Sequence, residues 1–201
     1  MVTRPIIYIV DDDSMILWLY QEFLRDLDAT FKTYSSAREF LGQYSPGGNE
    51  CLICDLRMPE IGGLQVQHEL VAAGASLPII FVSGYSEVTS VVTAIKAGAF
   101  DFLEKPVDGR RLKEKVNNAL AQSRKLHEER IDLAAHQARL ALLTPQERKI
   151  AERVVAGLSS REISGELGLS VRTVENYRAR MADKLHIKTT VELVRLFCQV
   201  S

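Results

Sequence analysis

Over its first ~120 residues the chain alternates short apolar runs with amphipathic stretches. Runs rich in β-branched residues fall at 6–10, 30–34, 51–54, 78–82 and 100–103. They lack strict polar alternation, which suits strands covered by helices on both faces. Helical patterns lie between them at 14–27, 36–44, 63–73, 87–97 and 108–122. Ser36, Pro46-Gly47-Gly48, Gly62-Gly63, Gly74 and Gly98 punctuate the series. The pattern predicts an α/β domain over 1–122, built on a five-stranded doubly wound parallel sheet.

From 122 to about 142 the composition shifts to Arg, Lys, Glu, His, Gln and Ala, with neither Gly nor Pro. Residues 123–142 therefore read as a helical linker, which could continue the preceding helix. Leu112, Val116, Leu120, Leu126, Ile131 and Leu133 form a stripe too irregular for a coiled coil. A new start follows: Thr144 as helix cap, Pro145 at the first helical position and Glu147 closing a capping box. Residues 143–201 read as a small all-α domain of four helices, at 145–156, 160–167, 171–185 and 190–199. In the third, Val174, Tyr177, Met181 and Leu185 recur at helical spacing. The opposite face carries Arg172, Thr173, Glu175, Asn176, Arg178, Arg180 and Lys184. A short helix, the turn Gly168-Leu169-Ser170 and this longer helix form a helix-turn-helix pattern, with its polar, basic face free for a major groove.

Charge divides the chain in the same place. Residues 1–122 hold 11 Lys+Arg against 16 Asp+Glu, a balance of −5, and the remainder holds 14 against 10, a balance of +4. An acidic half suits a cation and a basic half suits nucleic acid. Three cysteines are too few for a disulfide framework. Cys51 and Cys54 have redox or metal spacing, but on a strand positions three apart face opposite ways, so they read as small core residues. No apolar run approaches the ~20 residues of a membrane span. The first ten residues lack a secretory pattern, so the expected location is cytoplasmic, with no membrane partner.

In a doubly wound sheet the loops after the strand ends share one crevice. Asp11-Asp12-Asp13, Asp55, Ser83 and Lys105 all fall at such ends. Clustered carboxylates repel unless a cation neutralises them, and their oxygens suit Mg²⁺, with Mn²⁺ as an alternative. Such an ion lets a carboxylate meet an anionic phosphodonor, giving an aspartyl-phosphate. Lys105 by charge and Ser83 by hydrogen bonding can hold the phosphoryl oxygens. Asp13 reads instead as the cap of the following helix.

The runs Val10-Asp11-Asp12-Asp13, Asp55-Leu56-Arg57-Met58-Pro59-Glu60-Ile61-Gly62-Gly63, Lys96-Ala97-Gly98-Ala99-Phe100-Asp101-Phe102 and Leu103-Glu104-Lys105-Pro106 resemble a flavodoxin-like receiver domain. Leu143-Thr144-Pro145-Gln146-Glu147-Arg148, Gly157-Leu158-Ser159, Leu167-Gly168-Leu169-Ser170, Thr173-Val174-Glu175 and Lys184-Leu185 resemble a LuxR-type DNA-binding domain. Together they look like the NarL/FixJ class of two-component response regulators. The resemblance implies Asp55 as phosphoacceptor, with Asp11, Asp12, Asp55 and the backbone carbonyl of Arg57 handling Mg²⁺. Lys105 is then the phosphoryl-binding lysine, and Ser83 and Phe102 occupy switch positions. It places Glu175, Asn176 and Ala179 at base edges, and Arg172, Thr173, Arg178, Arg180 and Lys184 at phosphates. Many members carry Lys where this chain has Glu175; an acid there can accept from a cytosine amino group but repels phosphate. The last helix, with Val191, Val194 and Phe197, is implied to mediate dimerisation. Implied partners are a sensor histidine kinase, promoter double-stranded DNA, a second copy of the chain on phosphorylation, and RNA polymerase.

Two rivals are weaker. Asp11-Asp12-Asp13-Ser14 loosely fits the start of a haloacid-dehalogenase-like phosphatase, but that enzyme reading leaves Asp55 and the C-terminal domain without a role. A degenerate receiver serving only as an interaction module is disfavoured by the presence of Asp12, Asp55, Ser83 and Lys105 together. The chain reads as a regulator rather than an enzyme.

Overall fold

The structure is a computed structural model and describes residues 4–84 and 88–198. It divides into two compact units, 1–128 and 129–201. In the first, β1 (Ile6–Val10), β2 (Thr30–Tyr34), β3 (Glu50–Asp55), β4 (Ile79–Ser83) and β5 (Asp101–Glu104) form a parallel sheet ordered β2-β1-β3-β4-β5. The intervening helices are α1 (Ser14–Leu24), α2 (Ala37–Gln43), α3 (Gly63–Ala72), α4 (Val88–Lys96) and α5 (Gly109–Leu140). From β1 the chain steps outward to β2 and then back past β1 to β3. The strand order therefore reverses between β1 and β3, and a crevice opens at their carboxyl ends.

Two cores sandwich the sheet. Ile7, Ile9, Cys51, Ile53, Ile80 and Val82 meet Tyr20 and Leu24 of α1 and Leu112, Val116 and Leu120 of α5. Tyr8, Val10, Leu52, Cys54 and Phe81 meet Phe40 of α2, Val66 and Leu70 of α3 and Ala94 of α4. Strand alternation thus sends Cys51 and Cys54 into opposite cores, both fully buried with their thiols pushed well above the ordinary value by burial. The two are structural core residues.

Some predicted bounds change. β3 gains Glu50 and Asp55, and β4 gains Ser83, because ladder pairing with neighbours carries the strands past the apolar run: Asp55 pairs with Val82 and Ser83 with Glu104. The strand at 30–34 is not covered on both faces. As an edge strand, β2 has only Tyr34 buried. Residues 109–122 of the predicted helix and 123–140 of the predicted linker lie on one 32-residue helix, α5. Its Ile131 and Leu133 are exposed. Position 87, where a helix is predicted to begin, and position 199, in the predicted last helix, lie outside the described residues.

The second unit packs α6 (Pro145–Val155), α7 (Ser160–Leu167), α8 (Val171–Leu185) and α9 (Thr190–Cys198) around Ile150, Ile163, Val174, Met181, Leu185, Leu193 and Leu196. Thr144 and Glu147 form the capping box of α6. Ser159 and Glu162 form a second one on α7, a Ser-x-x-Glu signal equally readable in the sequence. Gly168 closes α7 at φ 64°, a left-handed conformation that glycine adopts without steric cost, and Ser170 then caps α8.

Candidate functional site

Asp11 follows β1 and is 1% exposed; Asp55 ends β3 and is 6% exposed. Lys105, just beyond β5, spans them: its Nζ lies 2.7 Å from Asp11 Oδ2 and 2.7 Å from Asp55 Oδ1. Each residue is held by backbone. The Asp11 N–H donates to the Tyr34 carbonyl at 3.2 Å, and the Lys105 N–H to the Ser83 carbonyl at 2.9 Å. The Arg57 N–H donates to Asp55 Oδ2 at 2.7 Å. Gly63 lets the β3–α3 loop return over Asp55: a Cβ there would lie 2.5 Å from the Asp55 carbonyl oxygen.

One lysine faces two buried carboxylates. Burial pushes the Asp55 carboxyl above its ordinary pKa even though Lys105 and the Arg57 N–H pull the other way. Burial would lower the Lys105 pKa, but its hydrogen bonds to Asp11 and Asp55 outweigh this and raise it. The ammonium is therefore locked in its charged form between acids it only partly neutralises. Two converging hard oxygen donors with residual negative charge fit a small divalent cation such as Mg²⁺.

Of the other predicted residues here, Ser83 is 2% exposed at the end of β4. Phe102 pairs in register with Phe81 and packs on the core beneath α2, α3 and α4. Asp12 is exposed, and among the described residues no group of three or more His, Cys, Asp or Glu is gathered closely enough to hold a metal. The site thus brings together two of the three predicted acids. Asp13 caps α1, accepting from the Met15 N–H at 2.8 Å.

On α8, Val174, Met181 and Leu185 are buried, which turns the opposite face to solvent. Arg172, Glu175, Asn176, Ala179 and Arg180 are exposed there, at helical spacing along one stripe. Thr173 is engaged with the Ser170 hydroxyl at 2.8 Å, and Arg178 donates to the Ser160 hydroxyl at 3.1 Å. The Lys184 ammonium, on a partly exposed side chain, lies 2.7 Å from buried Glu147, an ion pair between α8 and α6 that uses one of its three N–H donors. Hydrogen bonds from Lys184 and Thr144 outweigh burial and lower the Glu147 pKa. On α9, Val191 is exposed at 60%, whereas Phe197 leans on the domain core.

Residues 7–117 match the family described as response regulator receiver domain, and residues 141–197 match the family of bacterial regulatory proteins, luxR family. The chain is a response regulator of the NarL/FixJ family. The transcriptional regulatory protein TdiR of Thauera aromatica is 37% identical over 94% of this chain and 83% of its own length. FixJ of Bradyrhizobium diazoefficiens is 33% identical over 98% of this chain and 96% of its own. The response regulator StyR superposes with a TM-score of 0.89 at 28% identity, covering 98% of this chain and 100% of that one. Membership makes this a two-component response regulator that controls transcription, with a histidine kinase and DNA as partners; it is not an enzyme. Among its described residues no helix is long and apolar enough to cross a membrane.

Two relationships in this response regulator escape pattern reading. Glu147 looks in sequence like a cap alone, and its ion pair with Lys184 spans 37 residues. Tyr20 looks like one more apolar position of α1, yet its hydroxyl is buried without a hydrogen-bond partner.

Proposed function

We propose that the histidine kinase transfers a phosphoryl group to Asp55, and that this event licenses dimerisation and promoter binding. A carboxylate oxygen of Asp55 attacks phosphorus, the bond to the donor imidazole breaks, and an acyl phosphate forms. The convergence of Lys105 on both Asp11 and Asp55 carries the reading, since it pre-positions a permanent cation where phosphoryl charge would arrive. Asp11 and Asp55, the Arg57 carbonyl and, from the rim, Asp12 would hold Mg²⁺, with Mn²⁺ able to take its place. The ion supplies the positive charge that lets two anions approach. Lys105 then passes from the Asp55 carboxylate to a phosphoryl oxygen, and the Ser83 hydroxyl donates to another. Drawing Ser83 inward frees Phe102, two rungs along the same strand pair, to repack.

The output follows from α8. Glu175, Asn176 and Ala179 meet base edges while Arg172, Thr173, Arg178, Arg180 and Lys184 meet phosphates; Arg178 and Lys184 retain further donors beyond those given to Ser160 and Glu147. Val191, Val194 and Phe197 supply the dimer contact on α9, and RNA polymerase in the cytoplasm is the final partner. The working division is receiver 1–122, linker 123–142 and DNA-binding domain 143–201.

Acetyl phosphate with Mg²⁺ should label full-length protein with acid-labile phosphate, and Asp55→Asn should abolish it. Phosphate recovered on Asp11, or labelling that survives Asp55→Asn, would overturn the proposal.

A further inference from the structure

The last turn of α5 falls in the stretch read as linker, and before the 141–197 segment that matches the luxR family. Its side chains nonetheless belong to the DNA-binding unit. Leu140 is 4% exposed and packs in one core with Leu143, Ile150, Met181 and Leu185. Arg139, one residue earlier, donates from its guanidinium Nη2 to the carbonyl of Leu185, the last residue of α8.

That carbonyl is one of the four at a helix end that have no intrahelical partner. Two of its neighbours are met by the chain's own reversal. The Ile187 N–H donates to the Ala182 carbonyl at 3.0 Å and the His186 N–H to that of Asp183 at 3.2 Å, with His186 left-handed at φ 50°. Leu185 is met instead from another helix, by a cation, which is the charge that a helix C-terminus favours. Leu140 joins α5 to this domain by packing, and Arg139 joins it to the end of α8 by a charged hydrogen bond.

We propose that Arg139 is a positioning residue for DNA recognition: it fixes the carboxyl end of α8 and through it the angle at which the Asn176 face is presented. The proposal rests on the reading of α8 as the helix that enters the major groove. A single regular helix carries a displacement at Leu185 to Asn176, nine residues or about 14 Å along its axis. Arg139 touches no base and acts through α8 alone.

Full-length wild type, Arg139→Met, Arg139→Lys and Asn176→Ala are compared after treatment with acetyl phosphate and Mg²⁺. Methionine keeps an unbranched, flexible stem while removing the charge and the donors. The probes are a duplex selected from a random pool on the wild type and a duplex of the same composition in scrambled order. Arg139→Met should bind the selected duplex about three- to tenfold more weakly, the scale of one lost hydrogen bond. It should bind the scrambled duplex as wild type does, with the salt slope unchanged. Arg139→Lys should recover part of the loss, since an ammonium can donate to the same carbonyl. A salt slope lower by about 1 would make Arg139 a phosphate contact instead. Equal losses on both duplexes would reduce it to a structural role. Either result overturns the proposal, as does unchanged binding. A second readout needs no DNA: the ¹³C′ resonance of Leu185 should move in Arg139→Met, and an unmoved resonance would remove the contact. If Asn176→Ala binds the selected duplex as wild type does, the reading of α8 falls, while the Leu185 resonance still judges the bond from Arg139.

Discussion

Lys184 Nζ lies 2.7 Å from Glu147 Oε2, joining the end of α8 to the start of α6 through a carboxylate whose side chain is 4% exposed. The same oxygen accepts from the Thr144 N–H at 2.8 Å, so one acid serves a helix cap and an ion pair together. A residue of the recognition helix is thus also part of the domain's own framework.

Glu147→Gln should therefore destabilise the DNA-binding domain at neutral pH by about 1–2 kcal/mol, the scale of a lost cap and a weakened charged hydrogen bond. The folded pKa of Glu147 is lowered, so its contribution is present above the ordinary value of 4.5 and is lost as pH falls through the lowered one. Denaturant midpoints of wild type and variant should converge in acid. A gap that persists unchanged at low pH would assign the effect to packing instead.

DNA binding should weaken with salt, and the charges responsible should be separable. Arg172→Ala and Arg180→Ala each remove an exposed cation of α8 and should lower the salt slope of affinity by about 1. Lys184→Ala should lower the slope and, by breaking the pair with Glu147, lower stability as well. Slopes unchanged from wild type in all three variants would show that this face of α8 does not meet phosphate.

At Asp55 the sign runs the other way. Burial raises its folded pKa above the ordinary value of 3.8, so its protonated form is favoured on folding. That stability is present below the ordinary carboxylate range and is lost as pH rises through the raised folded value. Asp55→Asn in metal-free buffer should then unfold at a higher midpoint than wild type at pH 7, with the difference closing in acid. Mg²⁺ should stabilise wild type more than the variant. A less stable variant at pH 7 would mean that the Lys105 pairing outweighs burial.

Gly63→Ala places a Cβ 2.5 Å from the Asp55 carbonyl oxygen and 2.9 Å from the Phe81 ring. Backbone on one side and a buried ring on the other leave little room to yield, and overpacking of this kind costs about 1–3 kcal/mol. The variant should lose that much in denaturant unfolding and should also label more slowly at Asp55, which the shift displaces. Unchanged labelling with lost stability would show that the loop moves independently of β3.

Much of this architecture is local information. Apolar runs, glycine punctuation and Ser or Thr caps are properties of neighbouring residues, so five strands, the helices between them and the limits of α7 and α8 could be read directly from the chain. Asp11, Asp55 and Lys105 were legible as a set because strand ends in a parallel sheet must meet on one side. Tertiary structure decided everything that depends on partners distant in sequence. It made β2 an edge, extended β3 and β4 through their ladders, and ran α5 unbroken to Leu140. It joined Lys184 to Glu147 across 37 residues and left the Tyr20 hydroxyl buried without a hydrogen-bond partner. Periodicity states which face of an element is apolar; only packing states which charge lies opposite, and in this regulator that pairing sets the chemistry of Lys105 and Lys184 alike.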